Sequence, residues 1–267
     1  MRLSAFSLIV FVVAGFFVIQ KAPTKTFVFR CETSTLVVHT IQSEDEKVHR
    51  EKSSYLLDYA VDFGNRESYT VLSARIERHT NDKTWVYETG KEGEPKASGL
   101  FFETFRNKPL ILSSDERQLT NTPEEIPFFK QAEKNIALQT LSFALSVSLR
   151  HKDPWKERND KSSLPLSPLG ELLLCLSYRE AGKMREGKRW EILLERIEFL
   201  PNEHLKGVIK VEIKEPNMSG WALYDDDGFL ITARLSYRLK LILSQCIPSH
   251  FCSVESSAVS SVVIERR

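Results

Sequence analysis

The stretch CIPSHFC brings Cys246, His250 and Cys252 together near the C-terminal end of the chain. Thiols and an imidazole at such close range are open to metal coordination, thiol redox exchange or a disulfide. Structural zinc takes four protein ligands, and no fourth lies nearby in sequence. A redox pair is more typically C-x-x-C. The remaining readings are a disulfide or two lone thiols. Pro248 and Ser249 favour a turn, which would return Cys252 toward Cys246. In an oxidising compartment such a closure stabilises a fold by about 2 kcal/mol in the chain-entropy model. The sequence therefore predicts a Cys246–Cys252 bridge. Cys31 and Cys175 complete an even count of four cysteines and allow a second bridge. Cys175 sits within the apolar LLLCL, where a buried free thiol is equally expected.

Other reactive residue types are arranged without a catalytic pattern. The run YDDDGFL clusters Asp225, Asp226 and Asp227. It lacks the alternating ligand spacing and terminal glutamate of a calcium loop, and Asp227-Gly228 is a hairpin signal. GKMREGK, from Gly182 to Lys188, lacks the glycine spacing and hydroxyl residue of a phosphate loop and reads as a turn. The six histidines, at 39, 49, 79, 151, 204 and 250, are dispersed, and only His250 has partners at ligand spacing. No nucleophile elbow, dinucleotide motif or zinc-protease helix is present. Asn217-Met218-Ser219 is a glycosylation sequon, which matters only in a eukaryotic secreted protein. The expectation is a non-enzymatic protein with no catalytic residues, cofactor or metal.

The compartment is read from the other end. Arg2 precedes an apolar run from Leu3 to Ile19, which Lys21, Pro23 and Lys25 terminate. A basic residue followed by such a run is an export signal. Its length approaches the roughly 20 residues that span a bilayer, and small residues at cleavage spacing are poorly placed. Residues 1–25 are therefore expected to be a signal-anchor, with a cleaved signal peptide as the alternative. Residues 26–267 would lie outside the cytoplasm, facing the periplasm or the extracellular space. Lysine and arginine number 37 against 36 aspartates and glutamates, a balance that offers a nucleic-acid backbone little. The charged run from Ser43 to Lys52 mixes both signs and reads as a solvated turn or strand edge.

The elements that must carry these residues are mostly strands. Tyr55, Leu57, Tyr59, Val61 and Phe63 alternate with smaller or polar residues, as do Leu72, Ala74 and Ile76, and Ile209, Val211 and Ile213. Period-two alternation marks half-buried antiparallel strands. Shorter strands are expected from Thr26, Thr35, Thr84, Gly99, Pro109, Glu171 and Arg189, with the Pro109 strand paired to the one from Gly99. The longest alternation runs through Phe229, Ile231, Ala233, Leu235, Tyr237, Leu239, Leu241 and Leu243. Fully extended it would cover about 50 Å at roughly 3.3 Å per residue, which suits a curved sheet or open barrel. Its other face carries Thr232, Arg234, Ser236, Arg238 and Lys240 and should meet water.

One segment breaks this pattern. Thr122 as N-cap, Pro123 and Glu125 precede apolar residues at helical spacing, predicting a helix over 123–149, with a strand after Thr140 as the competing reading. Residues 151–170 are polar and carry Pro154, Pro165 and Pro168, which reads as a loop or linker that could subdivide the domain.

The expected fold is mainly β, within the β-rich α+β class: a large curved antiparallel sheet or open half-barrel, one covering helix near residues 123–149, and an N-terminal apolar helix. In architecture alone this resembles the open half-barrels that carry lipids or lipoproteins in the bacterial envelope; the resemblance transfers no residues. The first functional expectation is an exported envelope protein that binds an apolar ligand, a lipid or lipoprotein, on the curved sheet. Phe229, Ile231, Leu235, Tyr237, Leu239 and Leu241 would face that ligand. The alternative is a membrane-tethered structural or interaction protein without a small ligand.

Overall fold

The computed structural model describes residues 25–42, 47–64, 67–91, 102–103, 106–111, 150, 158–166, 170–203, 209–245 and 253–267. The expected N-terminal helix, the expected covering helix over 123–149, and Cys246, His250 and Cys252 lie outside the described residues. Among the described residues every named element is a strand, and no helix is long and apolar enough to cross a membrane.

The strands are β1 (Lys25–Gln42), β2 (Lys47–Phe63), β3 (Glu67–Thr80), β4 (Thr84–Glu88), β5 (Pro109–Ile111), β6 (Arg158–Leu166), β7 (Gly170–Met184), β8 (Gly187–Pro201), β9 (Ile209–Tyr224), β10 (Leu230–Gln245) and β11 (Ser253–Arg266). They form one antiparallel sheet in the order β4-β3-β2-β1-β11-β10-β9-β8-β7-β6, with β5 paired to β3. The sheet is open: β4 and β6 end it and do not pair with each other. Consecutive strands are neighbours except around β5, which pairs with β3 and with neither β4 nor β6. β11 pairs with β10 on one side and β1 on the other and so joins the two halves.

One face of the sheet is apolar. On β1 it carries Phe29, Cys31 and Thr33, all buried, and on β2 Leu57, Tyr59, Val61 and Phe63. Register places Ile264 and Val262 of β11 beside Cys31 and Thr33, and Ala233 and Leu235 of β10 beside those. Trp190, Tyr178 and Tyr224 extend the same face across β8, β7 and β9 and are fully buried. Each such side chain contributes about 1.5–3 kcal/mol relative to exposure. The other face carries ion pairs, among them Arg30 with Asp58 at 2.7 Å and Lys240 with Glu255 at 2.8 Å. Arg234, Ser236 and Arg238 are exposed there, as the alternation predicts.

Several expectations are corrected. The strands expected from Thr26 and Thr35 are a single 18-residue strand, because the polar Glu32–Ser34 interval continues the ladder with β11 and β2. Residues 158–166 are strand β6 rather than loop. At a sheet edge only one side must donate to a ladder, so Pro165 is tolerated opposite Glu171. Strands before and after residues 151–170 belong to the same sheet. Phe102 and Glu103 lie outside any strand, and β5 pairs with β3, not with a strand from Gly99. Asn107, in the left-handed region at φ 57, turns the chain there and donates its backbone N–H to Val71 O at 2.8 Å. In β3 a bulge at Leu72 shifts the face, so Tyr69 and Val71 are buried before it and Ala74 and Ile76 after it. The alternation in β10 is also interrupted: a bulge at Ile231 leaves it half-buried while Phe229 and Leu230 are both buried.

Candidate functional site

The apolar face has two unlike halves. At one end the N-terminus of β1, the end of β2 and the β9–β10 turn converge on Phe229. Its ring lies 5.1 Å from that of Phe27 and 4.9 Å from that of Phe63. Lys25 Nζ and the Arg150 guanidinium stand 5.0 and 4.9 Å from its centroid, and the Arg266 guanidinium lies 4.7 Å from that of Phe27. Cations over ring faces are attracted by the ring quadrupole. Phe29, stacked on Tyr59 at 5.7 Å, continues the packing inward. This half is closed: Phe29, Tyr59, Ala222 and Trp190 are at 0% exposure.

Asp225 organises the turn at this end. One carboxylate oxygen accepts the backbone N–H groups of Asp227 and Phe229, and the other accepts Arg266 at 2.7 Å. Lys25 Nζ donates to Asp227 at 2.6 Å, and that hydrogen bond together with the ammonium charge holds the Asp227 carboxyl below the usual range. Gly228, at φ 81, completes the turn. The three aspartates are turn residues, as expected from Asp-Gly. Met184 likewise pairs with Gly187 across Arg185 and Glu186, so GKMREGK is a hairpin. Among the described residues no group of three or more His, Cys, Asp or Glu side chains is placed to hold a metal ion.

The middle of the face is crossed by hydroxyls. Register aligns Ser53, Thr35, Ser260 and Tyr237 on β2, β1, β11 and β10. Thr35 Oγ1 and Ser260 Oγ are 2.8 Å apart, and Tyr237 shares hydrogen bonds with both. Burial pushes the Tyr237 hydroxyl up to about 12.

Beyond this row the face is mainly apolar and only half-buried. Val37 and Ile41 of β1, Val254 of β11, Leu243 of β10 and Val211 and Ile213 of β9 occupy it, beside the buried Leu239 and Leu241. The β8–β9 ladder stops at Leu193↔Ser219, so Val211 and Ile213 pair with β10 on one side and with no β8 residue on the other. Pro216, which lacks an N–H, sits in this stretch beside a register shift against β10.

Of the residues expected to face a ligand, Phe229 and Leu235 belong to the closed half, Ile231 is the half-buried bulge residue, Tyr237 belongs to the hydroxyl row, and Leu239 and Leu241 border the open half. The open half itself takes two half-buried residues each from β1 and β9 and one each from β10 and β11. Cys31 and Cys175 are free thiols with β11, β10, β9 and β8 between their strands, so the second bridge is not formed. Burial drives the Cys31 thiol up to about 12.

On the same face, toward the β1–β2 connection, His39 Nδ1 lies 2.7 Å from Ser256 Oγ. A serine against a histidine is one part of an acyl-transfer site. Both residues sit mid-strand with neighbours paired on either side, where backbone N–H groups serve the ladder and form no oxyanion hole.

Together the described strands define an open antiparallel sheet with one apolar side, buried at one end and half-buried at the other. No family model and no curated protein matches the sequence. Among solved structures, one of lipovitellin, concerned with lipid–protein interactions, aligns at 9% identity and TM-score 0.47, covering 90% of this chain. The chain spans 25% of the length of that lipovitellin chain. A LolA superfamily protein, NE2245 from Nitrosomonas europaea, aligns at 7% identity and TM-score 0.13, covering 92% of this chain and 88% of its own. At these TM-scores neither likeness carries an argument about what this chain does.

Proposed function

We propose that the chain is an exported, non-enzymatic binding protein that holds the hydrocarbon part of a lipid or lipidated partner against the open half of its apolar face. The observation that carries this reading is the run of half-buried Val37, Ile41, Val254, Leu243, Val211 and Ile213 across β1, β11, β10 and β9, ending where β9 has left the β8 ladder. Apolar residues gathered on one uncovered face gain roughly 25 cal/mol per Å2 when an apolar ligand displaces water from them. The bulges at Leu72, Ile231 and Glu195 bend their strands locally, which suits a curved sheet that could wrap such a ligand. His39 and Ser256 lie between Val37 and Ile41 on the same half, so polar groups stand beside the apolar residues to orient a ligand's head end. Native mass spectrometry of the full chain, extracted gently from its source, tests this. Bound species at lipid masses are expected. Uniformly ligand-free protein that also takes up no added fatty acid would refute it.

A further inference from the structure

The six histidines look dispersed in sequence, but the fold brings two of them face to face. His39 of β1 and His49 of β2 are directly opposed in register. Their rings are nearly parallel, at 17°, with centroids 6.3 Å apart. His39 Nδ1 is engaged by Ser256 Oγ at 2.7 Å, which leaves Nε2 as the ring nitrogen available for another partner. A hydrogen bond to one imidazole nitrogen is the usual device that orients the other toward a metal.

From this juxtaposition we propose that His39 and His49 together bind one borderline divalent transition-metal ion, of the zinc or copper(II) class, with water in the remaining positions. Two imidazoles bound at about 2.0–2.1 Å with a tetrahedral angle between them would have centroids roughly 5 Å apart. The observed 6.3 Å is about 1 Å longer, a difference on the scale of a small χ adjustment in either side chain. Imidazole ligands favour this class of ion over magnesium or calcium, which select oxygen. The nearest carboxylate on the same face, Glu51, is held by Arg78 at 2.6 and 2.9 Å. It is not free to be a third ligand, so the site is a weak, exchangeable one rather than a structural centre.

Calorimetric titration of the full chain with zinc chloride, with magnesium chloride as the reference, tests the proposal. One zinc site and no magnesium site are expected. His39→Gln and His49→Gln should each weaken that site at least about tenfold, while His79→Gln, whose ring is engaged by Thr84 on β3's opposite face, should leave it unchanged. Copper(II) electron paramagnetic resonance gives a second readout: two coordinated nitrogens in the parent chain and one in either variant. Zinc affinity unaltered in both variants, or no saturation by about 1 mM zinc, would overturn it.

Discussion

Arg266, the last residue of the final strand, closes on Asp225 in the β9–β10 turn at 2.7 Å while its guanidinium covers Phe27. One carboxylate thus ties together the turn, the C-terminal strand and the entry of β1, because its second oxygen accepts the N–H groups of Asp227 and Phe229. Asp225→Ala removes all three hydrogen bonds and leaves two turn amides to find water. A loss of about 1–3 kcal/mol in urea unfolding is expected. Asp226→Ala, exposed in the same turn, should cost well under that.

Asp58 supplies a pH signature. Arg30 binds it in a bidentate pair at 2.7 and 2.8 Å, and Ser73 adds a third bond at 3.0 Å. The Arg30 hydrogen bond is the main cause that holds its carboxyl below the ordinary range. A depressed folded pKa stabilises above the unfolded value, near 3.9, and that stability is lost as pH falls through the folded one. The parent chain should therefore lose stability on acidification below about pH 4 more steeply than Asp58→Asn. Parallel slopes in denaturant melts at stepped pH would exclude the pair as the source.

Gly187 and Gly182 separate two kinds of backbone constraint. Both have positive φ, at 154° and 142°. A Cβ at Gly187 would meet the Tyr224 carbonyl oxygen at 1.9 Å, whereas at Gly182 it would meet nothing within 4 Å. Gly187→Ala should therefore destabilise by more than about 3 kcal/mol, with Gly182→Ala confined to backbone strain of about 1–2 kcal/mol. Thermal melts of the two variants decide the order.

Thiol labelling divides the cysteines. Cys31 is buried and its thiol is raised to about 12, so it should resist alkylation at neutral pH until the chain unfolds. Cys246 and Cys252 flank the β10–β11 connection, whose strands are in register up to Ser244↔Ser253. Non-reduced peptide mapping of protein from an oxidising compartment is expected to recover them as one linked pair. Free thiols at both would refute the bridge.

Much of the sheet was legible because the face buried against the core leaves a period of two. β2, the start of β9 and most of β10 follow directly from that pattern. β11 escaped it, since Ser256 and Ser260 occupy positions on the apolar face that hydrophobic residues would normally mark. Its strand character comes from insertion between β1 and β10, a long-range pairing with no local signature. β6 escaped for a related reason: an edge strand tolerates polar residues and proline. The bulges at Leu72 and Ile231 are invisible to alternation counts, because one inserted residue simply restarts the period. The candidate site was half legible for the same reason. β10 announced the apolar face, but which half stays open depends on where the β8–β9 ladder ends, and the meeting of His39 with His49 depends on a register that spacing does not encode.

The half-buried apolar residues beyond the hydroxyl row are proposed to receive a hydrocarbon chain. Titration of the full chain with a fluorescent fatty acid tests it most directly, comparing the parent with Ile213→Glu and with Arg238→Glu on the opposite face. Saturable binding is expected in the parent, reduced at least about tenfold by Ile213→Glu, since a carboxylate in an apolar site must be desolvated or protonated. Arg238→Glu should bind as the parent does. Absence of saturable binding in the parent, or equal binding by Ile213→Glu with its fold intact by circular dichroism, would contradict the claim.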